Sequence, residues 1–363
     1  MSPHLSPIGY LLLLSYPYIN SLLILTMPQS YSIADSVNSK TFWYCLEGVA
    51  WPDAFDIITI ILEITAIILN IFTGFLLLRI KGGDRVSLVL LQNFIINNAI
   101  DSILKLISGT IPFKTNGTSV ALNYVNCFIW DSRFLYWLFN IFTIEAFTLF
   151  ALDRALTIRK IALFPFMSAE SRLRCYLATI YCFGIAITVP EFFSVNLEGG
   201  GCTCAPSVVN VPVLSIIYAH VFLRFFLLVL INGGLQIFST VVVVIWIRQT
   251  PLKCQHDALN YFHHVKQPSS AEMEHVEKYK SWKTASLCIL PLSSFYVATF
   301  GFDATYQFLS GAGAATYIIG GPLQKTGTML LVVFSNIAPL ILLTSLPVLR
   351  FSVSRIIHCS RWW

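Results

Sequence analysis

Long apolar runs recur along this chain, separated by short polar segments, and no other feature restricts its fold so strongly. A helix that crosses a bilayer needs about 20 mostly apolar residues, because the hydrocarbon core is about 30 Å thick and each helical residue rises about 1.5 Å. Seven runs satisfy that length: Ile57 to Ile80, Ser87 to Ile111, Cys127 to Leu152, Tyr176 to Phe193, Val211 to Ile247, Ala285 to Leu309 and Ala314 to Leu349. Lipid offers no partner for backbone N–H and C=O groups, so each run reads as a helix even where β-branched residues crowd, as from Val241 to Val244. Composition agrees, since the 363 residues are 56% hydrophobic and only 11% charged, where a soluble domain carries roughly a quarter charged residues. The expected architecture is an all-α membrane protein. It has an N-terminal segment over residues 1–56, a seven-transmembrane bundle over 57–349, and a short cytoplasmic tail over 350–363.

Orientation follows from the basic residues, which concentrate in short cytoplasmic loops. Most of the 23 Lys and Arg fall on one side, around Arg79 to Arg85, Arg154 to Arg174, Arg248 to Lys283 and Arg350 to Arg361. That side is read as the inside, and with seven helices the N-terminus is outside. The Asn116-Gly-Thr118 sequon then falls on the outer side, as a glycosylation site must. So do Cys45, Cys127, Cys202 and Cys204, where disulfides can form. An eighth apolar run, Ile8 to Met27, is interrupted by Ser15, Pro17 and Asn20. It reads as a signal-like stretch, an extracellular leader, an overextended start or an eighth span.

Charged and polar side chains inside the runs are the candidates for function, because burying them in lipid is costly. Asn93, Asn97, Asp101 and Lys105 recur every four residues and form one stripe on the second helix, which should face the bundle interior. Asn70 marks the first helix, and Leu152-Asp153-Arg154 closes the third, which Cys127 opens. The sixth run holds Cys288-Ile-Leu-Pro291, and the seventh holds Asn336-Ile-Ala-Pro339. Proline removes a helical hydrogen bond, so Pro291 is a candidate hinge.

Together these residues resemble the rhodopsin-like G-protein-coupled receptors over about Ile57 to Cys359. Asn97 to Asp101 is similar to that family's second-helix pattern, and Asp153-Arg154 to its third-helix acidic-arginine motif, with Ala155 in the aromatic place. Cys288 to Pro291 resembles its sixth-helix motif with Ile289 for tryptophan. Asn336 to Pro339 is a degraded relative of its seventh-helix motif, with Pro347 as a rival alignment. The pattern Cys127-x-x-Trp130-x-Ser132 with Tyr136-Trp137 is similar to divergent flatworm orphan receptors of this kind. The family's fourth-helix tryptophan and fifth-helix proline are absent, and Cys127 and Arg154 stand 27 positions apart, about two more than the family keeps. A bulge or a shifted cysteine would absorb the difference.

The resemblance implies a receptor in the plasma membrane that transduces an extracellular ligand to a heterotrimeric G protein. Asn70, Asp101, Asp153, Arg154, Cys288, Pro291, Asn336 and Pro339 would serve switching and coupling. Cys127 would pair with Cys202 or Cys204, and Cys45 could take the other. The ligand would meet Arg133, Tyr136, Trp137 and Asn140 on the third helix and Tyr218, His220 and Arg224 on the fifth, with Glu145 a partner for Arg224 by spacing and charge. No aspartate stands where amine receptors keep one, which disfavours monoamines and leaves peptides and other small molecules. After the seventh run, Arg350 to Cys359 has the pattern of a short amphipathic helix on the inner membrane face, with Cys359 placed for palmitoylation.

A multi-pass transporter is the alternative, but no inverted internal repeat is visible. Neither a phosphate loop, a nucleophile elbow nor a zinc-protease pattern occurs, so no enzyme, cofactor or nucleic-acid partner is expected. Cys202-Thr-Cys204 lacks the second ligand pair that a metal site needs.

Overall fold

The computed structural model describes residues 43–45, 52–80, 85–110, 120–159, 168–198, 201–203, 211–249, 286, 288–346, 349–350 and 352–353. Seven long helices make up these residues: α1 (Ala54–Arg79), α2 (Arg85–Thr110), α3 (Ala121–Ile158), α4 (Ala169–Ser194), α5 (Ser215–Trp246), α6 (Ile289–Gly311) and α7 (Pro322–Ser345). All but α6 are long and apolar enough to cross a membrane by length and composition. At 23 residues α6 spans about 34 Å and packs between α5 and α7. The chain is a multi-pass helical membrane bundle.

The distribution of side chains is that of a protein dissolved in lipid. On α1, Ile57, Ile61, Ile64, Ile68, Ile71, Phe75 and Leu78 point outward at helical spacing, while Glu63, Asn70 and Thr73 are buried. Apolar surface on that scale would be a liability in water, whereas in a bilayer it is the solvated face and the polar groups must turn inward. Inside, α3 is central and touches α2, α4 and α5; α5 leads to α6, α6 to α7, and α7 closes the ring on α1. Aromatic rings bind the centre, with Phe94 on α2 against Phe147 on α3 and Phe334 on α7, and Phe300 on α6 against Phe334. Gly184 lets α4 approach α3, since a Cβ there would stand 2.6 Å from the Phe142 ring.

Helix ends differ from the sequence reading in several places. Asp53 and Asp56 form a capping box that starts α1 at Ala54, one turn earlier than expected. Ser168 caps α4, so the helix begins two turns before Tyr176, through Glu170, Arg172 and Arg174, whose charges hide it from a hydropathy reading. Helix α3 starts before Cys127 and runs on to Ile158. Helix α7 begins at Pro322 and not Ala314, because Gly313 and Gly320 hold left-handed φ of 76° and 79° and strand β4 (Tyr317–Ile319) lies between them. β4 pairs in parallel with β1 (Trp43–Cys45) from the N-terminal segment. A hairpin of β2 (Asn196–Glu198) and β3 (Gly201–Thr203) follows α4.

Pro291 is not the mid-helix hinge that the sequence suggested. It sits in the first turn of the described α6, where its missing N–H has no partner to lose, and Cys288 is the cap residue. Pro339 lies well inside α7.

Candidate functional site

One end of the bundle carries both small sheets and the disulfide that joins Cys127 to Cys202. Cys204 lies outside the described residues, as do Asn116, Cys359 and the run 8–27; of Cys45 only the backbone pairing in β1 is described. Asp131 stands beside the disulfide, but a cystine offers no thiolate to a metal. Between Cys127 and the long part of α3 the helix widens into a π turn at Asn126–Asp131 and then breaks at Ser132 and Arg133. Arg133 takes a left-handed φ of 57°, sparsely populated for a residue with a side chain. This irregular stretch lies between Cys127 and the regular part of α3 that carries Arg154.

The break places Arg133 at a cavity of about 140 Å³ between α1, α2, α3 and α7. Asp56, Glu63, Lys105, Tyr136, Gln324 and Lys325 also line it. Lys325 donates to Asp53 at 2.6 Å and Asp56 at 2.9 Å, fastening the start of α7 to that of α1. Lys105 forms a buried ion pair with Asp101 at 2.7 Å and stands over the Tyr136 ring. Asn140 lies beside Asp101 from α3.

Of the seven expected ligand residues, Arg133 and Tyr136 reach this cavity. Asn140 stays beside Asp101, while Trp137, His220 and Arg224 form a second group between α3, α4 and α5. Arg224 stacks over Trp137 at 3.7 Å and donates to Glu191 at 2.9 Å, with both charges largely buried. His220 is buried on the same helix, and Tyr218 packs by Ile217, Val221 and Tyr317. The expected Glu145–Arg224 pair is therefore wrong. Asn232 donates to Glu145 at 2.6 Å instead. Helices α3 and α5 run in the same direction, and Trp137 is level with Arg224, so Glu145, eight residues on, is level with Asn232. Glu191, the true partner, stood beside Pro190 in the sequence as a charge within an apolar run.

At mid-bundle, polar groups converge on one carbonyl. Pro339 has no N–H to give to Ser335 O, and the freed oxygen accepts from Asn70 Nδ2 at 2.9 Å and Asn98 Nδ2 at 3.3 Å. Asn98 also donates to Asn70 Oδ1, and Ser335 Oγ donates to Asn98 Oδ1, both at 2.9 Å. Asn336 donates to Leu62 O of α1. The expected stripe is buried at Asn97, Asp101 and Lys105 but turns outward at Asn93, which donates to Tyr181 of α4. Asn98, one position off the stripe, is the residue that joins three helices.

At the opposite end, Asp153 accepts from Ser87 at 3.2 Å and Tyr176 at 3.3 Å and lies 3.4 Å from Arg172. Arg154 donates to Ser286 at 3.1 Å, at the foot of α6. Further along, Gln236 of α5 donates to Thr148 of α3 and accepts from Ser293 of α6.

No family model and no curated protein matches this chain.

Proposed function

We propose that this protein is a receptor of the rhodopsin-like kind, with the disulfide end outside the cell and the Arg154 end facing a heterotrimeric G protein. The reading rests on the Arg154–Ser286 contact, which ties α3 to the foot of α6 at the end opposite the charged cavity. A ligand that favours release of this contact shifts the population toward an open inner face. Helix α2 supplies the connection: it carries buried polar residues from Lys105 and Asp101 at the cavity to Asn98 at mid-bundle and again at Ser87 on Asp153, joined by the buried apolar stretch from Leu88 to Ile95. Cysteine pairing, the acidic-arginine motif and the basic residues of the Arg154 side agree with this orientation.

The test is nucleotide exchange on a panel of G proteins, with the chain in lipid membranes. Exchange that disappears in Arg154→Ala and rises without ligand in Ser286→Ala is the expected result. Silence across the panel, from protein that demonstrably binds a ligand, would sink the receptor reading in favour of a transporter, which solute uptake then measures.

A further inference from the structure

The cavity at the disulfide end balances most of its charges internally, and the exceptions describe what it can hold. Lys325 is matched by Asp53 and Asp56, and Lys105 by Asp101. Two charged residues of the lining make no side-chain hydrogen bond or close ion pair among the described residues, although each feels the other's charge. One is Glu63, 4% exposed on α1, and the other is the solvent-exposed Arg133. The hydroxyl of Tyr136 is buried in the same lining, again with no partner among the described residues. A buried carboxylate and a buried hydroxyl left unpaired are costly, and proteins keep such groups where a ligand completes them. Arg133 holds its place through a strained backbone angle, which persists only where the surroundings enforce it.

We propose that this cavity binds a small zwitterion, a short molecule carrying one ammonium and one carboxylate, with its ammonium on Glu63 and its carboxylate on Arg133. The proposal rests on the receptor reading for its placement of the ligand at this end, and it names the ligand's class. A simple amine would find Glu63 but leave Arg133 the one cation of the lining without an ion pair, since Lys105 and Lys325 are already matched. A simple acid would find Arg133 but leave Glu63 buried and unpaired. A molecule with both groups satisfies each, and the planar guanidinium suits a carboxylate in two-point contact. A volume near 140 Å³ is below the roughly 300–1,000 Å³ of sites for drug-sized ligands.

The experiment is thermal unfolding of the full chain in lipid nanodiscs with millimolar glycine, L-alanine, β-alanine or 4-aminobutyrate, and with butylamine and butyrate as single-charge controls. At least one zwitterion should raise the unfolding temperature by a few degrees while both controls leave it unchanged. Glu63→Gln and Arg133→Gln should each weaken that zwitterion about tenfold or more, as loss of a charge-assisted contact does. Neither substitution removes a hydrogen bond or ion pair, so both variants should fold, and Glu63→Gln, which relieves a buried carboxylate, should unfold no lower than the parent without ligand. Stabilisation by butylamine or butyrate equal to any zwitterion overturns the proposal, as does the absence of any stabilisation or unchanged binding in both variants. Zwitterion binding without nucleotide exchange leaves this inference standing and removes the receptor reading. Exchange driven by a peptide that both variants bind as tightly as the parent does the reverse.

Discussion

Two polar regions lie two helical turns apart along the same face of α1, and they are built on opposite rules. Around Asn70, three side chains serve one another: Asn70, Asn98 and Ser335 exchange four hydrogen bonds around the carbonyl that Pro339 leaves open. Around Glu63, a carboxylate, a guanidinium and a phenol face a cavity with no such exchange. The first region reads as a joint that holds α1, α2 and α7 in one arrangement, since a satisfied buried network specifies its geometry. The second reads as a receptacle. Burial alone separates neither from the other; the completeness of pairing does.

The sharpest way to break the contrast is to make a matched group unmatched. Lys105→Met strips the buried partner from Asp101, and uncompensated burial of one charge costs about 3–5 kcal/mol, read as a large fall in unfolding temperature. A loss under about 1 kcal/mol would mean that solvent in the cavity already serves Asp101. Asn98→Ala should cost less, about 2 kcal/mol, because hydrogen bonds inside membranes are each worth about 1 kcal/mol and the freed groups on α1 and α7 have each other. It should also loosen α7 against α2, measurable as faster amide exchange near Ser335. An unchanged exchange rate there would count against the joint.

The smallest effect sits at the rim. Burial pushes the Asp53 carboxyl up, but hydrogen bonds from Lys325 and from the Asp56 backbone outweigh it and hold Asp53 below the usual carboxylate range. A depressed carboxylate contributes stability that is present above its unfolded value, near 4, and is lost as pH falls through the folded one. Asp53 is about a third exposed, so the contribution is screened and stays under about 1 kcal/mol. Unfolding scans from about pH 6 to pH 3 should show a shallower acid loss in Asp53→Asn than in the parent. Identical slopes would show that the Lys325 clasp carries no stability of its own.

Legibility in the sequence followed the strength of each local signal. The apolar runs of α1 and α5 were plain because nothing charged interrupts their centres except Glu63 and Arg224, and those two exceptions were themselves a signal. Glu63 is the one charge at the centre of the most apolar of the described spans, but the receptor motifs point to Asn70 and include no residue at its place. Asn98 was missed for a geometric reason. Spacing by four selects Asn97, Asp101 and Lys105, and the next position lies about 100° around the helix, on the face toward α1 and α7. Pro339 held the missing clue, since a proline inside a membrane helix strips the carbonyl four residues earlier and something must serve it. The left-handed turn at Arg133 and the strand before α7 arise from tertiary pairing, and no periodicity announces them.

The parallel pairing of β1 with β4 bears on the order in which the molecule is completed. Its partners, Trp43 with Tyr317 and Cys45 with Ile319, are separated by most of the chain. Closing so long a loop is entropically costly before other contacts exist, and contacts distant in sequence form late. The clasp therefore waits until α6 and α7 are in place, and the Lys325 bridge to Asp53 and Asp56 waits with it. The mouth of the charged cavity thus depends on both ends of the chain, because β1 and Asp53 come from one side of it and β4 and Lys325 from the other.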